Sequence, residues 1–221
     1  ILKYKIYILF NLFSYKNDMI SIIDYGMGNI GSVRNAVEFL GYDVIIPKTR
    51  DDFEKSSHII LPGVGSFSDG MKNLHELGFV EILNDQVILK KKPFLGLCLG
   101  MQILADLGEE GGLTKGLGWI SGKVTRLNLG SGYKVPHMGW NDLILHHNSK
   151  LFSGISGPTY YFVHSYHFEP KNYDVVSAET EYDKKIVAAI ERDNIYGLQF
   201  HTEKSQQEGI NTLNNFLSIE V

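Results

Sequence analysis

The sequence is poor in cysteine, because its 221 residues contain only Cys98. A single thiol cannot form an internal disulfide, which excludes a secreted protein stabilised by internal disulfides and favours a reducing, cytoplasmic location. No run of 18 apolar residues is present, so the sequence predicts no membrane-spanning helix. A net charge of −4 gives no reason to expect nucleic acid or an acidic membrane as a partner.

The length and composition are those of one α/β domain with a sizeable core. Hydrophobic residues make up 43% of the chain and charged residues 21%, both ordinary for a globular protein. Residues 1–18 differ, since their apolar side chains are interrupted by several lysines and Met19 follows directly. We therefore predict an N-terminal extension over residues 1–18, outside the native domain, and one domain over residues 19–221.

Strand-like and helix-like segments alternate from residue 20 to about residue 107. This alternation predicts an open, mostly parallel sheet flanked by helices, with an active site beyond the carboxyl ends of its strands. Beyond Gly118 the sequence becomes strand-rich. The pattern predicts a first strand over 20–24, a helix over 79–90, a helix from residue 99 to residue 107, and a closing helix over 206–217.

The segment around Cys98 has the pattern of a nucleophile on a sharp strand-to-helix turn. Gly96 and Gly100 flank the thiol, an apolar run precedes it, and a helix-compatible segment follows it. Small flanking residues permit the strained backbone of such a turn, and the following helix N-terminus favours a thiolate. A buried cysteine acting as a small hydrophobe is the alternative, and for a lone cysteine it is the commoner case.

The C-terminal part of the chain contains the two groups that a thiol nucleophile needs. A strand-like segment runs into His201, a candidate general base, and Glu203 follows it as a group able to orient the imidazole. A histidine and a glutamate near a strand end are weak indications by themselves. Together with the turn at Cys98, they predict a Cys-His-Glu triad.

Six segments in a fixed order resemble one family. They are IDYGMGN from residue 23, LPGVGSF from residue 61, FLGLCLGMQ from residue 94, KVPHMGWN from residue 134, YFVHSY from residue 161, and GLQFHTEKS from residue 197. The chain resembles a class I, triad-type glutamine amidotransferase of flavodoxin-like fold. Within that family it is similar to the glutaminase subunit of imidazole glycerol phosphate synthase, from histidine biosynthesis.

The resemblance implies hydrolysis of L-glutamine to glutamate and ammonia, with Cys98 as nucleophile, His201 as general base and Glu203 as its orienting group. The implied oxyanion donors are backbone groups of Leu99 and of Gly63, Val64 and Gly65. The implied substrate-binding residues are Gln102, His164, Ser165 and Tyr166.

His146 with His147, and His164 with His167, could suggest metal ligands, but no carboxylate or cysteine completes a site at usable spacing. The sequence therefore predicts no metal, and it predicts no cofactor.

The implied partner is a synthase (cyclase) subunit with a (β/α)8 barrel, bound as a heterodimer, which receives the ammonia directly. Thr202 departs from the family, which usually has proline between the histidine and the glutamate. Three alternatives stay open at this point. The chain could supply ammonia for a surface-polysaccharide sugar amidotransferase, serve as a non-catalytic scaffold subunit, or be a peptidase-like relative that shares the nucleophile turn.

Overall fold

A nine-stranded sheet is the centre of the fold, and a four-stranded sheet lies beside it. The structure is a computed structural model that describes residues 16–146 and 149–220. The strands are β1 (Lys16–Ile22), β2 (Tyr42–Ile45), β3 (His58–Gly63), β4 (Phe94–Cys98), β5 (Leu107–Gly108), β6 (Thr114–Lys115), β7 (Gly122–Arg126), β8 (His137–Leu145), β9 (Thr159–His164), β10 (Tyr166–Pro170), β11 (Val176–Tyr182), β12 (Lys184–Arg192) and β13 (Ile195–Leu198).

Helices connect the strands of the first half and close the chain. The α-helices are α1 (Ile30–Phe39), α2 (Arg50–Glu54), α3 (Phe67–Glu76), α4 (Phe79–Leu83), α5 (Leu99–Gln102) and α6 (Gln206–Leu217). A π-helical segment (Asn84–Leu89) continues α4, and 3₁₀ turns occupy Lys150–Phe152, Tyr173–Val175 and Thr202–Lys204. None of the helices in the described ranges is long and apolar enough to cross a membrane.

The large sheet has one parallel half and one antiparallel half. Its strand order is β2-β1-β3-β4-β13-β12-β11-β8-β9. The pairings from β2 to β13 are parallel, and those from β13 to β9 are antiparallel. The predicted α/β fold class is confirmed. Most strands of the strand-rich second half extend the large sheet. The four-stranded sheet consists of β5, β6, β7 and β10.

The two faces of the large sheet are covered by separate apolar clusters. Phe67 and Phe94 belong to one cluster, and Leu97, Phe200 and Phe216 belong to the other. Every residue of β3, β4 and β13 is buried. Burial on both faces is expected where helices cover a parallel sheet, and it explains why these strands are continuous apolar runs.

The helix predicted from residue 99 to residue 107 is wrong in its length, because α5 ends at Gln102. The carbonyls that would continue it are taken by another segment: Leu117 N donates to Ile103 O at 2.8 Å, and Gly118 N donates to Ala105 O at 3.0 Å. Since those acceptors are occupied, the chain turns away after one helical turn.

Other elements depart less from their predicted bounds. The segment 79–90 is helical but changes from α to π at residue 84. The first strand occupies Lys16–Ile22 rather than 20–24, and α6 has the predicted bounds. Residues 1–15 lie outside the described residues. The division of the chain at residue 18 therefore stays a prediction.

Candidate active site

Cys98 lies at a strained junction between β4 and α5. Its backbone angles are φ 53° and ψ −105°, a positive φ that L-residues rarely adopt. The flanking glycines make the junction sterically feasible. A Cβ at Gly100 would lie 1.9 Å from Leu61 O, and one at Gly96 would lie 2.3 Å from Gly100 O. Only glycine fits either position without a backbone shift.

The helix behind Cys98 is shorter than the sequence predicts, and this changes the electrostatics of the thiol. α5 contains four residues, so its macrodipole is small compared with that of a full-length helix. The helix N-terminus is therefore a weaker source of positive potential at Cys98 than the sequence predicts.

His201 and Glu203 face each other across a single 3₁₀ turn. Nδ1 of His201 lies 2.9 Å from Oε1 of Glu203, and both side chains are almost fully buried. The turn is fixed to β9: His201 N donates to Tyr161 O at 3.0 Å, and Tyr161 N donates to Ser205 Oγ at 3.0 Å. The spacing of two residues therefore aims the carboxylate at the imidazole with Thr202 between them.

The second ring nitrogen of His201 faces Cys98. Burial by itself would lower the pKa of His201, but interactions with Cys98 and Glu203 outweigh it and raise this pKa to about 9. Nε2 is buried and has no hydrogen-bond partner within standard geometry among the described residues. Catalytic hydrogen bonds are often poorly aligned without substrate and tighten when it binds. The structure thus brings Cys98, His201 and Glu203 together in series.

Two of the residues implied as oxyanion donors lie next to Cys98. Gly63, at the end of β3, pairs in register with Cys98, and Leu99 follows the nucleophile as the first residue of α5. Val64 is 44% exposed, and Gly65 has a φ of 103°, available to glycine without strain. Gly63, Val64, His201 and Glu203 are among the residues that line a small cleft.

Tyr25 packs against the same glycine. A Cβ at Gly63 would lie 2.2 Å from the Tyr25 hydroxyl oxygen, which is buried and has no hydrogen-bond partner among the described residues. Burial raises the pKa of the Tyr25 phenol, and the charge of Cys98 raises it further. A side chain larger than hydrogen at residue 63 therefore has no room.

Three of the residues implied in substrate binding, Gln102, His164 and Tyr166, are joined by hydrogen bonds. Gln102 Nε2 donates to Tyr166 O at 2.9 Å, and His164 Nδ1 donates to the same carbonyl at 2.8 Å. His164 Nε2 lies 3.0 Å from His137 Nδ1. Both nitrogens of His164 thus have protein partners. Ser165 connects β9 to β10, and its carbonyl accepts from Leu127 N at 2.9 Å.

Burial acts on the pKa of both rings of this pair. It lowers the pKa of His164 to about 3, with a further contribution from His137, and it also lowers the pKa of His137.

Sequence reasoning missed Gln199 as a functional residue. It is completely buried, and its Nε2 donates to Sγ of Cys98 at 3.6 Å. Its Oε1 accepts from Gln102 Nε2 at 3.1 Å. No pattern within its own segment indicates this contact, because it depends on the pairing of β13 with β4.

The histidines considered as metal ligands do not form a site in the described part of the chain. No group of three His, Cys, Asp or Glu side chains there could hold a metal ion. His146 bonds to Glu179 at 2.7 Å, while His147 lies outside the described residues. Nε2 of His167 lies 3.7 Å from Oε1 of Glu169 and 3.5 Å from Oγ1 of Thr125.

Cys98, His201 and Glu203 lie close together beyond the ends of two neighbouring strands of an α/β sheet, and comparison with known families gives the class of protein. A family model described as "Glutamine amidotransferase class-I" matches residues 21–219. The chain belongs to the class I glutamine amidotransferase family.

Close relatives specify the branch of the family. The chain is 46% identical over 202 residues to the imidazole glycerol phosphate synthase subunit HisH 1 of Campylobacter jejuni (strain RM1221), covering 91% of this chain and 100% of that protein. It is 46% identical over 200 residues to HisH 2 of Methanococcus maripaludis, covering 90% and 98%. The resemblance indicated by the six motifs is confirmed.

Solved structures agree on the fold. The structure of PurLQS from Thermotoga maritima matches with a TM-score of 0.67, covering 91% of this chain and 98% of that one. The sequence identity is 20%, so this similarity concerns the fold alone.

Proposed function

We propose that this chain is a glutaminase subunit that hydrolyses L-glutamine to glutamate and ammonia through Cys98, His201 and Glu203. It delivers the ammonia to a synthase (cyclase) subunit that makes imidazole glycerol phosphate in histidine biosynthesis. The observation that carries the proposal is the buried series of thiol, imidazole and carboxylate at the end of β4. The identity of 46% to subunits named HisH supports the pathway.

The chemistry follows from these positions. The Cys98 sulfur attacks the amide carbon of glutamine, and His201 holds the thiol proton and transfers it to the departing ammonia. Water, deprotonated by His201, then hydrolyses the thioester to glutamate. Glu203 orients the imidazole and stabilises its protonated form, consistent with the raised pKa of His201.

The negative oxygen of the tetrahedral intermediate requires preorganised donors. We assign this role to the backbone N–H of Leu99 and to the strand of Gly63, Val64 and Gly65. Each such donor contributes about 2.7–4 kcal/mol in comparable acyl-transfer sites.

An exposed face next to the site fits the docking of a synthase. Met138 and Trp140 on β8 are 59% and 46% exposed, and the Trp140 ring centroid lies 5.9 Å from that of Tyr161 on β9. Lys204 Nζ lies 5.8 Å from the Tyr161 ring centroid, one residue after Glu203. This apolar face with one cation is therefore continuous with the triad, as direct transfer of ammonia requires. We propose a heterodimer with a (β/α)8-barrel cyclase subunit, located in the cytoplasm.

Glutamate formation from L-glutamine, with and without a candidate cyclase subunit and its nucleotide ligand, tests the activity. We expect turnover by the complex that Cys98→Ala reduces by several orders of magnitude, up to about 10⁶-fold. Circular dichroism of the variant should match that of the wild type. Equal turnover in the two proteins would refute the catalytic assignment.

Affinity isolation from native extract tests the pathway. We expect a barrel cyclase to copurify with the chain. Recovery of a sugar-modifying enzyme instead would refute the histidine pathway while leaving the glutaminase chemistry intact.

A further inference from the structure

Gln199 joins two parts of the site that are far apart in the sequence. Its carboxamide is fully buried between Cys98 and Gln102, with its nitrogen 3.6 Å from the sulfur and its oxygen 3.1 Å from Gln102 Nε2. Buried polar groups are costly unless they are hydrogen-bonded, and here both ends of the carboxamide have partners.

A main-chain carbonyl fixes the direction of these hydrogen bonds. Tyr166 O can only accept, so the group of Gln102 that lies 2.9 Å from it must be the NH₂ group. The second hydrogen of that NH₂ group points to Gln199, which must therefore present its oxygen. The NH₂ group of Gln199 then necessarily faces Cys98 and can donate to the sulfur.

We propose that Gln199 is a further catalytic residue, whose Nε2 donates to Sγ of Cys98, fixes the sulfur on the strained turn and stabilises it as a thiolate. This inference rests on the proposed function of Cys98 as nucleophile. A hydrogen bond donated to the charged form of a group favours that form, and it is stronger in a buried site than in water.

Two features of the site explain why such a donor is needed. The four-residue helix α5 has a small macrodipole, and Cys98 is buried, with 7% of its surface exposed. Two ionisable side chains of the described residues lie near the sulfur, His201 and Tyr25. His201 is itself paired with Glu203, and the Tyr25 phenol would repel a thiolate only in its ionised form. Among these neighbours, Gln199 supplies an N–H donor that does not depend on pH.

The single cysteine permits a direct test on the purified chain. The rate of alkylation by iodoacetamide, followed by intact mass across a range of pH, reports on Cys98 alone. In Gln199→Leu we expect the midpoint of the rate profile to move about one unit to higher pH, so that alkylation at pH 7 is about tenfold slower. Gln86→Leu is the matched control, since Gln86 is equally buried but bonds to Glu54 and Asp85.

A second variant covers the case in which Gln199→Leu does not fold. Gln199→Glu keeps an acceptor for Gln102 and replaces the donor by a carboxylate, so the midpoint should move at least as far in the same direction. A profile that superimposes on that of the wild type, or a midpoint that moves to lower pH, would overturn the inference.

Turnover separates this role from one in packing alone. Loss of the donor should lower kcat about tenfold or more at neutral pH and restore part of that loss at higher pH. A pH-independent loss, or an effect on KM alone, would count against it. If the complex with a cyclase subunit shows no glutaminase activity while Gln199→Leu still moves the alkylation midpoint to higher pH, the proposed function is refuted and the inference about Gln199 stands.

Discussion

Nδ1 of His201 and Oε1 of Glu203 lie 2.9 Å apart, and a single residue separates the two in the sequence. A single 3₁₀ turn brings them face to face, and Ser205 Oγ fixes this turn by donating to His201 O at 2.5 Å. The orientation of the base is thus determined locally. Only its encounter with Cys98 depends on the whole fold.

Replacing Glu203 by glutamine should preserve the fold and disrupt catalysis. The amide cannot stabilise an imidazolium as a carboxylate does, so kcat should fall by roughly 10³–10⁴-fold. Glutamate production by the complex with a cyclase measures this. Glu76→Gln, at an exposed position of α3, should leave kcat unchanged, and comparable losses in both variants would contradict the role of Glu203.

The raised pKa of His201 predicts a pH-dependent contribution to stability. Its pKa is about 9 in the folded protein and 6.5 for an unperturbed histidine, so the folded state binds the proton more tightly. The stabilisation is complete below pH 6.5 and is lost as the pH rises from 6.5 through 9. Urea unfolding of the wild type and of His201→Asn should show the wild-type advantage shrinking across this window. An advantage that grows with pH would contradict the assignment.

The glycines of the nucleophile turn should differ sharply from a glycine in open space. Gly100→Ala would place a Cβ 1.9 Å from Leu61 O, so we expect a loss of several kcal/mol of unfolding free energy or no soluble protein. Gly31, in α1, has no neighbouring atom within 4 Å of an added Cβ. Gly31→Ala should be neutral or stabilise the protein by up to about 1 kcal/mol. Denaturant unfolding measures both, and equal effects would refute the steric argument.

Thr202→Pro should restore the usual family residue without loss of activity. Thr202 is the first residue of its 3₁₀ turn, and His201 has φ −99° and ψ 104°, the extended conformation that proline requires before it. The Thr202 hydroxyl is buried without a partner among the described residues, so its removal is favourable. We expect a gain of about 0.4–1 kcal/mol in unfolding free energy. A kcat reduced more than a few-fold would show that threonine has a specific role.

Two buried tyrosines should respond oppositely to loss of their hydroxyl groups. No described residue pairs with the Tyr25 hydroxyl, so Tyr25→Phe should leave the unfolding free energy unchanged or raise it. The Tyr160 hydroxyl bonds to Thr212 Oγ1 at 2.7 Å, and Tyr160→Phe should cost about 1–2 kcal/mol. Urea unfolding distinguishes the two, and a larger loss at Tyr25 would reveal a hidden partner.

Some features of the site follow from local sequence, and others do not. The position of Cys98 between two glycines predicts the strained turn, and the spacing of His201 and Glu203 predicts their contact. The length of α5 was not predictable from the apolar pattern, because it depends on which distant N–H groups occupy the carbonyls of Ile103 and Ala105.

Gln199 shows the same limit for side chains. Its position beside the nucleophile results from the pairing of β13 with β4, since Leu198 and Leu97 are in register. A pattern within one segment cannot reveal a partner 101 residues away. Pairing between strands that are distant in the sequence therefore decides which polar residues near a strand end reach the sulfur.

The presence of one thiol in the whole chain also has a chemical consequence. Peroxide that reaches Cys98 and converts it to a sulfenic acid meets no second cysteine in the chain that could resolve it as an intramolecular disulfide. Recovery from such damage therefore depends on an external reductant such as glutathione.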